Sequence, residues 1–146
     1  MNERFSGGNR EQISVEYTAH FVRDVQELLK RFPPRHKVVY GHHSTIEYKP
    51  ASLAGIEIGK ELRLKIIGRA FDEKGDVLLV ENPKSTKKHP HITLSCAEGV
   101  SQEYSNELLG KAISSGVIEY FAEPTEVSVV EGYFDDEKSK EVVSKS

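Results

Sequence analysis

Residues 62–80 place the strongest constraint on the fold. Leu62, Leu64 and Ile66 precede the polar run Asp72-Glu73-Lys74-Gly75-Asp76, and Val77, Leu78, Leu79 and Val80 follow it. A glycine-bearing polar turn between two apolar runs reads as an antiparallel hairpin, or a pair of neighbouring strands.

The flanking segments add both strands and helices. In "TAHFVRDVQELLKRF", Phe21, Val22, Val25, Leu28 and Leu29 recur at spacings of three and four. That predicts an amphipathic helix over roughly 18–31, stopped by Pro33-Pro34, which cannot donate to a helical ladder. "HKVVYGHHSTIEY" is rich in β-branched and aromatic residues and reads as a strand, as does "HITLSCA" after the basic loop "PKSTKKHP". "SQEYSNELLGKAISSG" predicts a second helix with Ser101 as N-cap, Leu108, Leu109, Ala112 and Ile113 as its apolar face, and Gly116 as its stop. "TEVSVVEGYF" is a last strand. Polar residues 1–13 read as a flexible N-terminal arm and 135–146 as a charged C-terminal tail, leaving one domain over 14–134. Strands outnumber helices and the turns look like hairpins. The expected class is α+β with mainly antiparallel sheet and two principal helices.

At 146 residues and 37% hydrophobic, the chain is long enough for one self-sufficient core. It contains no apolar run of the roughly 18 residues that span a bilayer, and its first dozen residues lack the apolar stretch of a secretory signal. The lone Cys96 has no internal disulfide partner and, by parity, faces the apolar side of its strand. These features predict a cytoplasmic monomer without a membrane partner. A formal charge of −3 argues against bulk capture of a long duplex, although "LKRFPPRHK" and "PKSTKKHP" offer local cations for one phosphate, or simply solvated loops.

Two His-x-Thr tripeptides stand out against this background: His43-Ser44-Thr45 and His91-Ile92-Thr93, each in a predicted strand. Side chains at i and i+2 share a strand face, so His91 and Thr93 point one way and Ile92, Leu94 and Cys96 the other. His43 and Thr45 are likewise co-facial. Because the opposite face holds His42, Ser44 and Ile46, a His42–Ser44 register is the alternative. An imidazole with a pKa near 6.5 gives or takes a proton near neutrality, and a neighbouring hydroxyl can donate to a phosphate oxygen. Two such strands face to face supply an acid and a base on opposite sides of phosphorus.

At these residues the chain resembles the two-histidine phosphoesterase superfamily. That group includes LigT-like RNA 2′,3′-cyclic phosphodiesterases and the cyclic-phosphodiesterase modules of some tRNA ligases. The motifs lie closer together than in many LigT-like members, as in a compact version. The resemblance implies a bilobal, pseudo-symmetric fold with the active site in a cleft between the lobes. It also implies metal-independent opening of RNA or nucleotide 2′,3′-cyclic phosphates, or of a related 2′–5′ phosphodiester, with no cofactor. His43 and His91 would be the catalytic pair, His91 as base and His43 as acid; Thr45 and Thr93 would hold the phosphate. Partners would be RNA ends or small nucleotide cyclic phosphates, with an RNA ligase as a further partner in RNA end repair. A two-imidazole mechanism of this kind predicts a bell-shaped pH profile around neutrality.

Three rivals accompany this reading. The motifs can be ordinary strand residues whose imidazoles are satisfied by carbonyls. His89 and His91, with His42, His43 or Glu47, have donor types that suit zinc. A non-catalytic RNA- or nucleotide-binding module would keep the same fold. Auxiliary candidates are His42, His89, Lys88 and Tyr104, with Lys84 and Lys87 as phosphate attractors, Tyr40 and Tyr133 as stacking platforms, and Arg69 as a phosphate ligand or an ion-pair partner.

Overall fold

The fold is taken from a computed structural model that describes residues 14–144. Ten elements follow in chain order: β1 (Val15–Val22), α1 (Val25–Arg31), β2 (Val38–Val39), β3 (His43–Tyr48), β4 (Glu61–Phe71), β5 (Gly75–Glu81), β6 (His91–Cys96), α2 (Tyr104–Ser115), β7 (Glu119–Asp135) and β8 (Lys140–Val142). The strands pair antiparallel in the order β1-β3-β6-β5-β4-β7, and β7 returns to β1, closing a six-stranded barrel. Closure leaves these six strands without a free edge among themselves, while β2 and β8 add short outer ladders to β6 and β7.

The expected 72–76 hairpin joins β4 to β5. Asp72 caps it, its Oδ1 accepting from the Lys74 and Gly75 amides at 2.8 and 2.9 Å. The expected 18–31 helix is corrected. Residues 15–22 form a strand instead, and only 25–31 are helical. The residues Tyr17-Thr18-Ala19-His20-Phe21-Val22 also satisfy a period of two, and pairing with both β3 and β7 decides between the two periods. Asp24 then restarts the chain as a helix, its Oδ1 accepting from the Glu27 amide at 3.0 Å.

The second helix runs as expected over 104–115 and ends at Gly116, whose φ of 70° lies in the left-handed region. The N-cap is Glu103 and not Ser101, which lies two residues earlier with its Oγ accepting from the Glu103 amide. The last strand extends well beyond its expected bounds, and 140–142 of the expected tail pair with it as β8. The N-terminal arm, 1–13, lies outside the described residues.

The apolar part of the barrel interior is built from Leu64, Ile66, Leu78, Val80, Ile92, Leu94, Val127 and Val129 and plugged by Leu28 of α1, while His20, Ser44, Asn82 and Glu131 make up a buried polar part. Outside the barrel, α2 lays Leu108, Leu109 and Ala112 over Ala70, Val77 and Leu79 of β4 and β5. The outer face of β1, β3 and β6, beside the N-terminal end of α2, is left open.

Candidate active site

That open face holds a cavity of about 620 Å³. His43, Thr45, His91 and Thr93 all line it. Their convergence follows from one register. Ser44 of β3 lies opposite Ile92 of β6, and both are fully buried in the barrel. On the outer face, antiparallel order therefore sets His43 beside Thr93 and Thr45 beside His91. The imidazoles occupy one diagonal of a square and the hydroxyls the other. Of the two possible registers in "HHST", this puts His43 in the cavity; His42 is exposed and packs its ring edge-on against Tyr40.

His91 is oriented by its own strand entrance. Its Nδ1 lies 2.7 Å from the His89 carbonyl oxygen. A carbonyl only accepts, so Nδ1 carries the proton, and in the neutral ring Nε2 keeps its lone pair. Burial lowers the His91 pKa; the carbonyl hydrogen bond opposes the shift, and the Lys87 and His89 charges add to it.

His43 is held by stacking. The Tyr17 ring lies 4.6 Å from it at an interplanar angle of 22°, and Phe134 stacks on the far side of Tyr17 at 5.4 Å and 5°. Phe21 closes another side at 5.9 Å. Burial first, then the nearby His42 and His91, push the His43 pKa down to about 4. Both motif imidazoles are therefore neutral at pH 7 in the unliganded cavity.

Thr93 is buried and its Oγ1 lies 2.8 Å from the Ser105 Oγ of α2, so helix and motif strand are tied at the site. The loop between β5 and β6 is pinned to β3: Ser85 Oγ donates to the Thr45 carbonyl at 2.8 Å and the Thr86 amide to the Ile46 carbonyl at 2.7 Å. This brings Lys87 into the cavity wall, together with Glu16, Tyr40, Tyr48, Gln102, Glu103 and Asn106.

Other sequence candidates lie elsewhere. Lys88 and the His89 side chain line a separate depression with Pro83 and Pro90, so His89 serves the cavity only through its carbonyl. Tyr104 turns its hydroxyl to Asp72 and its ring to Gly75, away from the motifs. Lys84 pairs with buried Glu131 at 2.5 Å, and Arg69 forks onto buried Asp76 at 3.0 and 3.1 Å. Tyr133 is buried. Sequence reasoning missed Tyr17, Glu16 and Ser105. Reading 15–22 as a strand would have exposed the first two; Ser105 carried no signal. Among the described residues, no three His, Cys, Asp or Glu side chains converge as a set of metal ligands.

No family model matches the chain, and no curated protein matches its sequence. Among the described residues, no helix is long and apolar enough to cross a membrane. What the cavity offers chemically is two opposed neutral imidazoles, the hydroxyls of Thr45, Thr93 and Ser101, one ammonium, two carboxylates, two amides and three tyrosine rings.

Proposed function

We propose that the protein is a metal-independent phosphoric diester hydrolase that opens RNA or nucleotide 2′,3′-cyclic phosphates. The observation carrying this reading is the diagonal square of His43, Thr93, Thr45 and His91 in one cavity. Two imidazoles on opposite corners suit in-line displacement, one on the attacking side and one on the leaving side. A pseudo-symmetric, two-lobed plan with the cavity as its cleft is part of the same proposal, within strands that close into one barrel. An RNA ligase partner and a cytoplasmic setting belong to the same reading.

In this mechanism His91 Nε2 takes a proton from water as its oxygen bonds to phosphorus. The P–O3′ bond breaks, and His43 delivers a proton to the departing 3′ oxygen. The product is a 2′-phosphate, and one later proton exchange with solvent restores both rings. Thr45 and Thr93 hydroxyls, with Lys87, meet the non-bridging oxygens, where charge develops. As the acid, His43 needs a proton that its ring-lined, desolvated surroundings disfavour; the anionic phosphate would supply the compensating charge. The kcat/KM profile of the free enzyme should therefore be a bell with its optimum below pH 6.5. The kcat profile should lie at higher pH, since bound phosphate raises both imidazoles.

The test is hydrolysis of nucleoside 2′,3′-cyclic phosphates in excess EDTA. His43→Ala and His91→Ala should each lose about 100- to 10,000-fold in kcat, and His42→Ala less than about threefold. Loss of wild-type turnover to EDTA would turn the imidazoles into metal ligands, and no wild-type turnover would leave a binding module. An aryl phosphodiester, whose leaving group needs no proton, assigns the roles: it should rescue the His43 variant and not the His91 variant. The opposite rescue would exchange acid and base.

A further inference from the structure

Resting on that reading, the charge of the cavity wall narrows its substrate. Lys87 is the only cation among the described residues that line it, and Glu16 and Glu103 line it too. The remaining contacts are uncharged: Ser101, Gln102 and Asn106 offer hydrogen bonds, and Tyr40 and Tyr48 offer ring faces. Two neighbouring cations are engaged elsewhere: Lys84 is bound to buried Glu131 and Arg69 to buried Asp76, while exposed Lys49 makes only a 3.8 Å contact with Asp136 at the rim, 5.7 Å over the Tyr48 ring. With Lys87 and the two hydroxyls on one phosphate, a second phosphate would meet carboxylates without a counter-cation. The whole chain, at −3, gives it no compensating long-range field.

We propose that Glu16 and Glu103 act as specificity determinants that restrict the site to a singly charged nucleoside 2′,3′-cyclic phosphate with an uncharged 5′ end. On this view a 5′-phosphorylated nucleotide or an oligonucleotide end enters poorly, which narrows the reading above to mononucleotide cyclic phosphates and removes RNA ends and an RNA ligase partner from it. The phosphate-bearing ring sits over the histidine–threonine square, and the uncharged nucleoside takes the tyrosine and amide wall.

The test is a binding titration followed through the His43 and His91 ring NMR signals, run beside the hydrolysis assay. Three compounds are compared: uridine 2′,3′-cyclic phosphate, its 5′-phosphorylated form, and a dinucleotide ending in the same cyclic phosphate. At about 20 mM salt the first should bind at least about fivefold more tightly than the other two. The gap should close toward 0.5 M salt, where charges are screened within a few ångströms. It should also close in the Glu16→Gln/Glu103→Gln double variant at low salt. Equal or tighter binding of the more highly charged compounds would overturn the inference while leaving the hydrolase reading intact. Selective binding without turnover would overturn the hydrolase reading and keep the charge selection. Failure of all three compounds to perturb either ring would overturn both.

Discussion

At the scale of single residues, the site depends on how an imidazole is kept dry. His43 is a weak base in the unliganded cavity because the rings of Tyr17 and Phe21 replace water around it. Tyr17 is itself half-buried, and this burial with the Glu16 and Glu141 carboxylates pushes its phenol well up, so it stays neutral through any working range. Tyr17→Leu removes the stacked face and admits water. NMR titration should then find the His43 pKa raised from about 4 by one unit or more, toward the ordinary value near 6.5. Tyr17→Phe keeps the ring and should leave it within about half a unit. An unmoved His43 in the leucine variant would assign its low proton affinity to other neighbours.

At the scale of elements, the register of β3 against β6 matters more than either strand alone. Gly41 sets that register. It has a φ of +85°, its amide donates to the Thr93 carbonyl at 2.8 Å, and it lies between the β2 and β3 ladders on β6. A Cβ there would also stand 3.2 Å from Leu29 Cδ2 of α1. Gly41→Ala should cost about 1–2 kcal/mol in urea denaturation, from the left-handed backbone and the crowded helix. A change below about 0.3 kcal/mol would mean that the turn relaxes freely and does not set the strand. The legible and illegible elements differ for related reasons. Hairpin β4–β5 was legible because its signals are adjacent in the chain. Strand β1 was not, because Phe21 and Val22 fit a helical stripe with Val25, Leu28 and Leu29 as well as a strand alternation.

At the scale of the molecule, barrel closure encloses a polar brace that no single segment announces. Buried His20 donates from Nε2 to Glu131 Oε1 at 2.9 Å and accepts at Nδ1 from Asn82 Nδ2 at 2.9 Å. Asn82 also donates to Ser44 Oγ, and Lys84 and the Glu57 amide complete Glu131. The brace joins β1, β7, the β5–β6 loop and β3 behind the motif face. Burial lowers the His20 pKa, against the pull of Glu131; His43 and His91 are lowered too. For Glu131, burial pushes upward, but the Glu57 amide, Lys84 and His20 bring the net shift down. The unfolded chain therefore binds more protons at each of these groups. Stability should be full above about pH 7 and decline as the histidines' unfolded pKa near 6.5 is crossed. It should fall further from about pH 4 downward, as the Glu131 contribution begins to be lost below its unfolded pKa. Thermal melts at pH 8, 6 and 4 check this. A Tm that stays level, or rises, on acidification would refute the assigned directions.

The chain by itself determined the α+β class, the β4–β5 hairpin, the second helix and the facing of His91 and Thr93, since each depends on spacing within a few residues. It left open whether His42 or His43 faces the pocket and which lysine reaches the motifs, and its helical stripe misassigned 18–22, which are strand. Those were decided by pairing across the barrel. Ser44 opposite Ile92 turns His43 outward, and β1 is held between β3 and β7. The loop pinned to Thr45 and Ile46 directs Lys87, not Lys88, into the cavity. Local periodicity cannot carry such choices, because two periods fit the same residues until a neighbouring strand satisfies the backbone hydrogen bonds of one of them.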